Sequence, residues 1–411
     1  MKLSDFLKQP FFTGSILVLL GVNLYNFGQT IFHLIIGRFL GKSGYAEFAA
    51  IVSVLAIIII IQQALGLTFV KFISSAKTKA YVTNFTRWAF YWSIGLGILL
   101  MFLVLLIAPF LKDFLYIKES HLVLILGPII FLLVLINTLR SIFQGLLKFG
   151  WYIFNLLSEA VVKILLAIIF IAWGWATFGV FVSIIISVSF AIFLAFFPLR
   201  EYLFGKKGTP PDILPLFKYS VPVLFLSLAL TSMNSSDIIL VKHFFSNEDA
   251  GLYAALAKLG SVAFFGAAPI CSVMFPFIAR NHSKGEPYNK LFFISILLVL
   301  LVSIPVVLLY KFNPPFVVKL LYGSQFVAGS EILWWFGAYM LLLGVAVLFT
   351  QFYFSIGKTK TALLFVLAAL LQTLLIWFIH PTILSVIQVS LFSVSILVAS
   401  LLIYYPFHKN Y

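Results

Sequence analysis

The chain has 411 residues, of which 63% are hydrophobic and 9% charged, and its formal net charge is +15. Soluble domains carry about 25% charged residues, so this composition excludes an ordinary soluble enzyme. The basic residues are scattered through short loops rather than gathered on one face, which argues against a nucleic-acid-binding protein.

Twelve long apolar runs follow one another along the chain. About 20 residues of helix cross a hydrocarbon core, and backbone groups in lipid need internal partners, so each run is predicted to be a membrane-spanning helix. The predicted spans are 12–36, 47–70, 88–111, 122–143, 152–173, 176–198, 220–244, 250–277, 291–310, 328–352, 361–379 and 382–405. We therefore expect an all-α polytopic membrane protein with 12 transmembrane helices in two pseudo-symmetric six-helix bundles around a central cavity.

The link between the sixth and seventh spans is rich in glycine, lysine and proline, which suits a tether. The predicted organisation is an N-terminal bundle over 1–205, a cytoplasmic linker over 206–219 and a C-terminal bundle over 220–411. With the N-terminus in the cytoplasm, most of the 27 lysines and arginines fall on the cytoplasmic side. This bias follows the positive-inside rule and predicts that both termini are cytoplasmic.

The two halves show weak internal similarity. At an offset of 205 residues, 15–74 aligns with 220–279 without a gap, but only eight positions are identical. The better support is local, because Ala46–Ala50 meets Gly251–Ala255 where the second span of each half begins. Two bundles in the same orientation follow from this alignment, as in transporters built from parallel repeats.

The first span carries a polar stripe of Asn23, Asn26, Thr30 and His33, whose spacing places them on one face of a helix. Polar groups turned toward lipid are costly, so this face is expected to meet protein or a water-filled cavity. Two interpretations stay open: hydrogen bonding between helices, or a cavity that binds substrate.

The seventh span carries a similar stripe, which consists of Ser227, Thr231, Asn234 and Ser235. Asp237 lies beside this stripe and is the candidate for a protonatable or cation-binding carboxylate. The alternative is that Lys242, five residues later, simply offsets the negative charge of Asp237.

Few other charges lie within the spans. Glu159 and Lys163 are four residues apart, in the order that favours an ion pair on one helix, and Glu159 is a second candidate for ion coupling. Arg38, Arg140 and Lys258 are candidates to bind phosphate, with helix anchoring or snorkelling to the interface as the alternative. Lys163 is a fourth cationic candidate for the substrate.

No catalytic or metal-binding constellation is recognisable. The single cysteine, Cys271, allows no intrachain disulfide and no metal-site spacing, and the six histidines are dispersed. No cofactor is expected beyond coupling to a proton or sodium gradient. The short loops also leave little room for the site of a membrane glycosyltransferase.

Several short segments resemble those of a known family. Gly37–Phe48 is similar to the first-loop signature R-x-L-G-x-x-x-Y-G-x-F of polysaccharide flippases, with Ala46 where the family often has glycine. Asp249–Ala255 resembles the corresponding segment of the second half. Gln144–Phe149 and Gly357–Lys360 resemble the loops after the fourth and tenth spans. The chain thus resembles O-antigen and exopolysaccharide flippases of the multidrug/oligosaccharidyl-lipid/polysaccharide exporter (MOP) superfamily.

The resemblance implies a transporter rather than an enzyme. Its expected function is movement of an undecaprenyl-pyrophosphate-linked oligosaccharide from the cytoplasmic to the periplasmic leaflet of the bacterial inner membrane, by alternating access. The expected partners are this lipid-linked substrate, membrane lipids and the polysaccharide polymerase machinery, with no nucleic acid. Two alternatives stay open: a multidrug/cation antiporter of the same superfamily, and a membrane polymerase or ligase acting on similar sugars.

Overall fold

The computed structural model describes residues 10–76, 78–205, 214–264 and 267–405. Within these ranges the chain forms α-helices joined by turns and short 3-10 helices, and no strand occurs in them. The α-helices are α1 Pro10–Ser74, α2 Lys79–Phe114, α3 Ser120–Leu124, α4 Leu126–Gly145, α5 Phe149–Ala172, α6 Ala176–Leu203, α7 Leu214–Phe244, α8 Asn247–Gly260, α9 Ala267–Lys284, α10 Asn289–Phe312, α11 Pro314–Leu321, α12 Leu333–Ser355, α13 Ala362–Phe378 and α14 Ile383–Tyr404. The prediction of an all-α fold is confirmed.

The first helix contains the first two predicted spans without an intervening loop. It runs for 65 residues and leaves helical geometry at Gly41, where φ is 68° and ψ is −176°. Residues with a side chain avoid a positive φ, whereas glycine adopts it without steric cost. The link expected between 36 and 47 is therefore a kink at one residue.

The described residues contain 11 helical segments that are long and apolar enough to cross a membrane, with α1 counted once. The two arms of α1, on either side of Gly41, complete the predicted twelve. Helix α2 shows the pattern of a bundle helix that faces lipid. Leu106 is 77% exposed and Phe110 is 66% exposed, whereas Val104 and Ala108 are buried. A protein with so much apolar surface is a multi-pass membrane protein.

The chain divides into two compact units. The first comprises Met1–Leu40 and Val54–Leu224, and the second comprises Gly41–Ser53 and Phe225–Tyr411. A short piece of α1 therefore packs within the second unit. Much of the predicted linker, 206–219, lies outside the described residues, and α7 begins at Leu214. The linker and the predicted domain boundaries stay predictions.

Aromatic and small residues pack the core of the first unit. The rings of Phe69 and Phe85 lie edge to face, with 5.9 Å between their centroids. A Cβ atom added to Gly145 would lie 2.7 Å from the Cβ of Ile73, so glycine is what allows α4 to approach α1 this closely. Small residues serve the same purpose in membrane helix packing generally.

Helix α12 is central to the second unit, where it packs against α8, α9, α10 and α14. Two buried tyrosines of α12 donate hydrogen bonds to backbone carbonyls. Tyr339 bonds to Met233 over 2.6 Å, and Tyr353 bonds to Leu401 over 2.7 Å. Each hydroxyl group thus has an acceptor for its hydrogen inside the bundle, where water is not available.

The eighth predicted span, 250–277, is broken in the structure. Helix α8 ends at Gly260, a 3-10 turn covers Ser261–Phe264, and α9 begins at Ala267. The two prolines of this span, Pro269 and Pro276, both lie within α9. Pro269 lies in the first turn of α9, where backbone N–H groups have no acceptor within the helix. The missing N–H of proline therefore costs no hydrogen bond at this position.

Candidate functional site

Three charged side chains meet inside the first unit. The Nη2 atom of Arg140 on α4 donates to Oε2 of Glu159 on α5 over 2.6 Å. The Nζ atom of Lys163, one turn further along α5, lies 3.4 Å from Oε1 of the same carboxylate. Each of the three side chains is at most 8% exposed. We call Arg140, Glu159 and Lys163 the charged cluster.

Neutral polar groups hold the charged cluster in position. Nε of Arg140 donates to Oδ1 of Asn155 over 2.9 Å, and the Asn155 amide donates to the Ala191 carbonyl of α6 over 2.7 Å. Nζ of Lys163 donates to Oε1 of Gln29 on α1 over 2.8 Å. Arg140 is thereby oriented by α5 and α6, and Lys163 is tied to α1.

Gln29 on α1, which is not among the four residues of the first polar stripe, connects this helix to the charged cluster. Gln29 lies three residues after Asn26, and its buried amide nitrogen has no hydrogen-bond partner among the described residues. Phe32, also on α1, places its ring 4.9 Å from Nζ of Lys163, within the range of a cation–π contact. A donor that is buried without an acceptor usually marks a place for water or a ligand.

The charged cluster is costly to bury and is not neutral. With all three groups ionised, two cations share one carboxylate, which leaves a net charge of +1. Taking ions out of water costs several kcal/mol each, and their attraction offsets this only in good geometry. Ionisable residues within membrane segments are for this reason rare, and they mark substrate or ion pathways.

The second unit holds a different buried ionisable group. Asp237 on α7 is 4% exposed, and its Oδ2 accepts a hydrogen bond of 2.8 Å from the hydroxyl of Tyr253 on α8. Its Oδ1 accepts from the backbone N–H of Ile238. No ion pair to Asp237 forms within the described residues. Lys242, its suggested counter-charge, is buried and interacts electrostatically with Glu47 instead.

A hydrogen-bonded network lies close to Asp237 in the second unit. The Tyr339 hydroxyl donates to the Met233 carbonyl and also lies 3.3 Å from Oε1 of Gln372. The Gln372 amide donates to the same carbonyl and to Oγ of Ser390. Helices α7, α12, α13 and α14 are thereby joined by polar side chains one turn from the carboxylate.

Residues from the two segments that align at an offset of 205 residues also meet in the second unit. A Cβ atom added to Gly251 would collide with the backbone carbonyl of Lys42, so glycine at this position permits the contact. Three residues beyond Lys42, the hydroxyl of Tyr45 lies 3.0 Å from that of Tyr322. Both tyrosines are fully buried. Burial raises the pKa of Tyr322 well above its usual value, and Tyr45 acts in the same direction.

A family model described as polysaccharide biosynthesis protein matches residues 12–282, about two thirds of the chain. The chain belongs to this family. A search of curated protein sequences finds no match.

Solved structures of MOP-superfamily transporters share the fold of this polysaccharide biosynthesis protein. An inward-facing multidrug resistance MATE family transporter matches with a TM-score of 0.77 and 17% identity, over 91% of this chain and 92% of that one. The lipid II flippase MurJ, in an inward closed conformation, matches with a TM-score of 0.76 and 15% identity, over 95% and 87%. A MOP-superfamily transporter from Pyrococcus furiosus matches with a TM-score of 0.56 and 15% identity, over 95% and 93%.

The predicted polysaccharide biosynthesis family is confirmed by the family model, and the predicted fold is confirmed by its likeness to solved transporters of the MOP superfamily. At such low identities the solved structures establish the fold alone. In the described residues, no group of three or more histidine, cysteine, aspartate or glutamate side chains is placed to hold a metal ion.

The other predicted site residues make contacts of their own or differ in exposure. On α1, Thr30 is buried and bonds back to the Asn26 carbonyl over 3.1 Å, while Arg38 is exposed. Asn23 is exposed and His33 half-buried, and each has interactions of its own. Of the four cationic candidates, only Arg140 and Lys163 are brought together.

The second stripe is partly satisfied within its own helix. The Asn234 amide donates to the Leu230 carbonyl over 2.8 Å, Ser235 is buried and Thr231 is half-buried. Lys258 is half-buried in the last turn of α8, in the second unit. That the two stripes line a common cavity stays a prediction.

Proposed function

We propose that this protein moves an undecaprenyl-pyrophosphate-linked oligosaccharide from the cytoplasmic to the periplasmic leaflet of a bacterial inner membrane. Membership of the polysaccharide biosynthesis protein family supports an oligosaccharide cargo. The lipid II flippase MurJ, whose fold the chain shares, moves another lipid-linked saccharide. Alternating access between the two leaflets is the mechanism that this transporter fold suggests.

The observation that carries the proposal is the meeting of two cationic side chains and one carboxylate inside a membrane unit. A pyrophosphate headgroup cannot enter hydrocarbon, but fixed cations with hydrogen-bond donors can hold it. Arg140 uses Nε and Nη2 in the bonds described above and also hydrogen-bonds the hydroxyl of Tyr25, so the remaining N–H groups of its fork are the donors for a phosphate oxygen. The unpartnered amide nitrogen of Gln29, beside Lys163, is a further donor for an oxygen-rich cargo.

Glu159 has a distinct part in this proposal. It holds Arg140 and Lys163 near each other when the cargo is absent, and it competes with phosphate for the same donors. Protonation or sodium binding at Glu159 would weaken its hold on both cations, which links cargo binding to an ion gradient. Asp237 is the second coupling candidate, because it is a buried carboxylate held by a hydroxyl rather than by a cation.

The proposal is tested by neutralising the charged cluster as a unit. The variant Arg140→Gln, Glu159→Gln, Lys163→Gln removes two cations and one acid together, so no buried charge is left uncompensated. In a strain whose surface polysaccharide depends on this protein, we expect polymer to be lost while the amount of membrane-inserted protein is unchanged.

A matched control removes the same charges from a site where Lys118 and Glu119 are exposed and Lys112 is half-buried. Lys112, Lys118 and Glu119 lie at and after the end of α2 and also comprise two cations and one acid. Their conversion to glutamine is expected to leave surface polysaccharide intact. Normal polymer from the charged-cluster variant would refute the proposed role of these residues.

A multidrug/cation antiporter is the second candidate, since a multidrug transporter shares the fold over most of the chain. Such a transporter needs a carboxylate available to a cationic drug. In the first unit Glu159 is already paired with two cations, and the cluster as a whole would repel a positive charge. Drug sensitivity of cells with and without the protein separates the two functions, because a flippase confers no resistance.

A further inference from the structure

A second polar site lies in the second unit. The loop between α9 and α10, the C-terminal end of α12 and Tyr405, directly after α14, enclose a pocket of about 270 Å³. The loop is well defined. Gly285 turns the chain with φ of 70°, and the Glu286 N–H donates to the Asn281 carbonyl over 2.8 Å. This turn places Gly285 and Glu286 in the lining of the pocket.

Aromatic rings form one side of the pocket. Tyr288 and Tyr405 are half-buried and flank the ring of Phe352, with centroid distances of 6.0 Å and 5.8 Å. The Tyr405 hydroxyl donates to Oδ1 of Asn289 over 3.1 Å, which holds the tyrosine in place. Burial raises the pKa of Tyr405 and Tyr288 acts in the same direction, so its hydroxyl stays a neutral donor.

The lining also offers a mixture of hydrogen-bonding groups. His282, Glu286 and Asn289 are exposed and line the pocket, so an imidazole, a carboxylate and an amide are available. Together they provide both donors and acceptors. Among the described residues that line the pocket, Glu286 is the only one with a carboxylate, and none is a lysine or an arginine. The lining therefore offers an anion no cationic contact of its own, whereas a neutral polyol finds partners for its hydroxyls.

We propose that this pocket binds one neutral sugar ring of a glycan. The apolar C–H face of a pyranose packs against aromatic rings, while its hydroxyls at the edge require donors and acceptors in alternation. The volume lies just below the range of about 300–1,000 Å³ that is typical of small-molecule sites, which suits a single ring rather than a long oligosaccharide.

This inference rests on the proposed function and extends it. The α9–α10 loop belongs to the side of the membrane that the positive-inside rule predicts to be cytoplasmic. There the pocket would meet the sugar of the cargo before translocation. The pocket would recognise the glycan part of the cargo.

Direct binding to the full-length protein tests the pocket. The purified protein in lipid nanodiscs is mixed in turn with methyl α-glucoside, methyl α-galactoside, methyl α-mannoside and N-acetylglucosamine, and saturation-transfer NMR reports contact with each sugar. We expect transfer to at least one of them, weakened about fivefold or more by Tyr288→Ala through loss of an aromatic wall. Asn289→Ala, at an exposed position, provides a second variant with little risk to folding.

The control is Tyr116→Ala, which removes a tyrosine that is 64% exposed and lies in the first unit. It is expected to leave sugar binding unchanged. The inference is overturned if no sugar receives saturation, if transfer persists in both Tyr288→Ala and Asn289→Ala, or if inorganic pyrophosphate displaces the sugar at equal concentration.

These outcomes are separable from failure of the proposed function. Polysaccharide export that survives loss of the charged cluster would refute the flippase site, yet sugar binding that depends on Tyr288 would still establish the pocket. Conversely, export that requires the charged cluster together with absent sugar binding would retain the flippase and discard the pocket.

Discussion

Glu159 is the residue whose replacement should be most informative. Its carboxylate is the common partner of Arg140 and Lys163, at 2.6 Å and 3.4 Å. Glu159→Gln keeps the size and one acceptor oxygen but removes the negative charge, so two buried cations lose their only acidic partner within the described residues. We expect this single change to destabilise the first unit strongly.

The size of the expected destabilisation follows from the burial of the two cations that Glu159 contacts. Removing one member of a buried ion pair typically costs about 3–5 kcal/mol, because the remaining charge is left uncompensated in a low dielectric. For a unit of this size, each kcal/mol shifts the melting temperature by about 2–4 °C, so a decrease of roughly 10 °C is expected. Replacing all three members by apolar residues of similar length is often neutral or stabilising. The variant Arg140→Met, Glu159→Leu, Lys163→Met should therefore melt near the wild type while exporting no polysaccharide.

Thermal unfolding in detergent, followed by tryptophan fluorescence, measures both variants. Trp88, Trp92 and Trp151 belong to the first unit and report on its unfolding. A Glu159→Gln protein that melts with the wild type would refute the inference that this carboxylate compensates both cations. A triple apolar variant that is as unstable as Glu159→Gln would show that the charged cluster contributes to stability rather than to function.

Two further predictions concern the second unit. Gly251→Ala should lower stability by about 1–3 kcal/mol, the usual cost of overpacking, because its Cβ collides with the Lys42 backbone. Thermal melting of the purified variant checks this, with Gly150→Ala as the control, because a Cβ there meets nothing within 4 Å. Asp237→Asn keeps an acceptor for the Tyr253 hydroxyl, so it should melt like the wild type yet lose the response of transport to collapse of a proton or sodium gradient. Unaltered sensitivity to both gradients would remove Asp237 from the coupling mechanism.

The membrane class and the helices were predictable from the sequence, because a continuous apolar run in lipid has helix as its available structure. The ninth and twelfth predicted spans, 291–310 and 382–405, agree within two residues with Asn289–Phe312 and Ile383–Tyr404. The pair of Glu159 and Lys163 was also predictable, since four residues along one helix bring side chains together wherever that helix lies.

Contacts between helices were not predictable in the same way. Hydrophobic periodicity defines a face of a helix but neither its rotation against a neighbour nor its depth in the membrane. Nothing in the sequence therefore indicated that Arg140 on α4 would be the closer partner of Glu159, or that Gln29 rather than Asn26 would reach Lys163.

The sequence by itself determined that this is a multi-pass helical protein with two sets of six spans, because burial of backbone polar groups in lipid leaves little choice. Only the tertiary structure decided that Gly41–Ser53 packs with the second half of the chain and that Gly251 makes room for it. It also decided that two of four candidate cations share one carboxylate. These outcomes depend on side-chain fit between segments far apart in sequence, which no local pattern encodes.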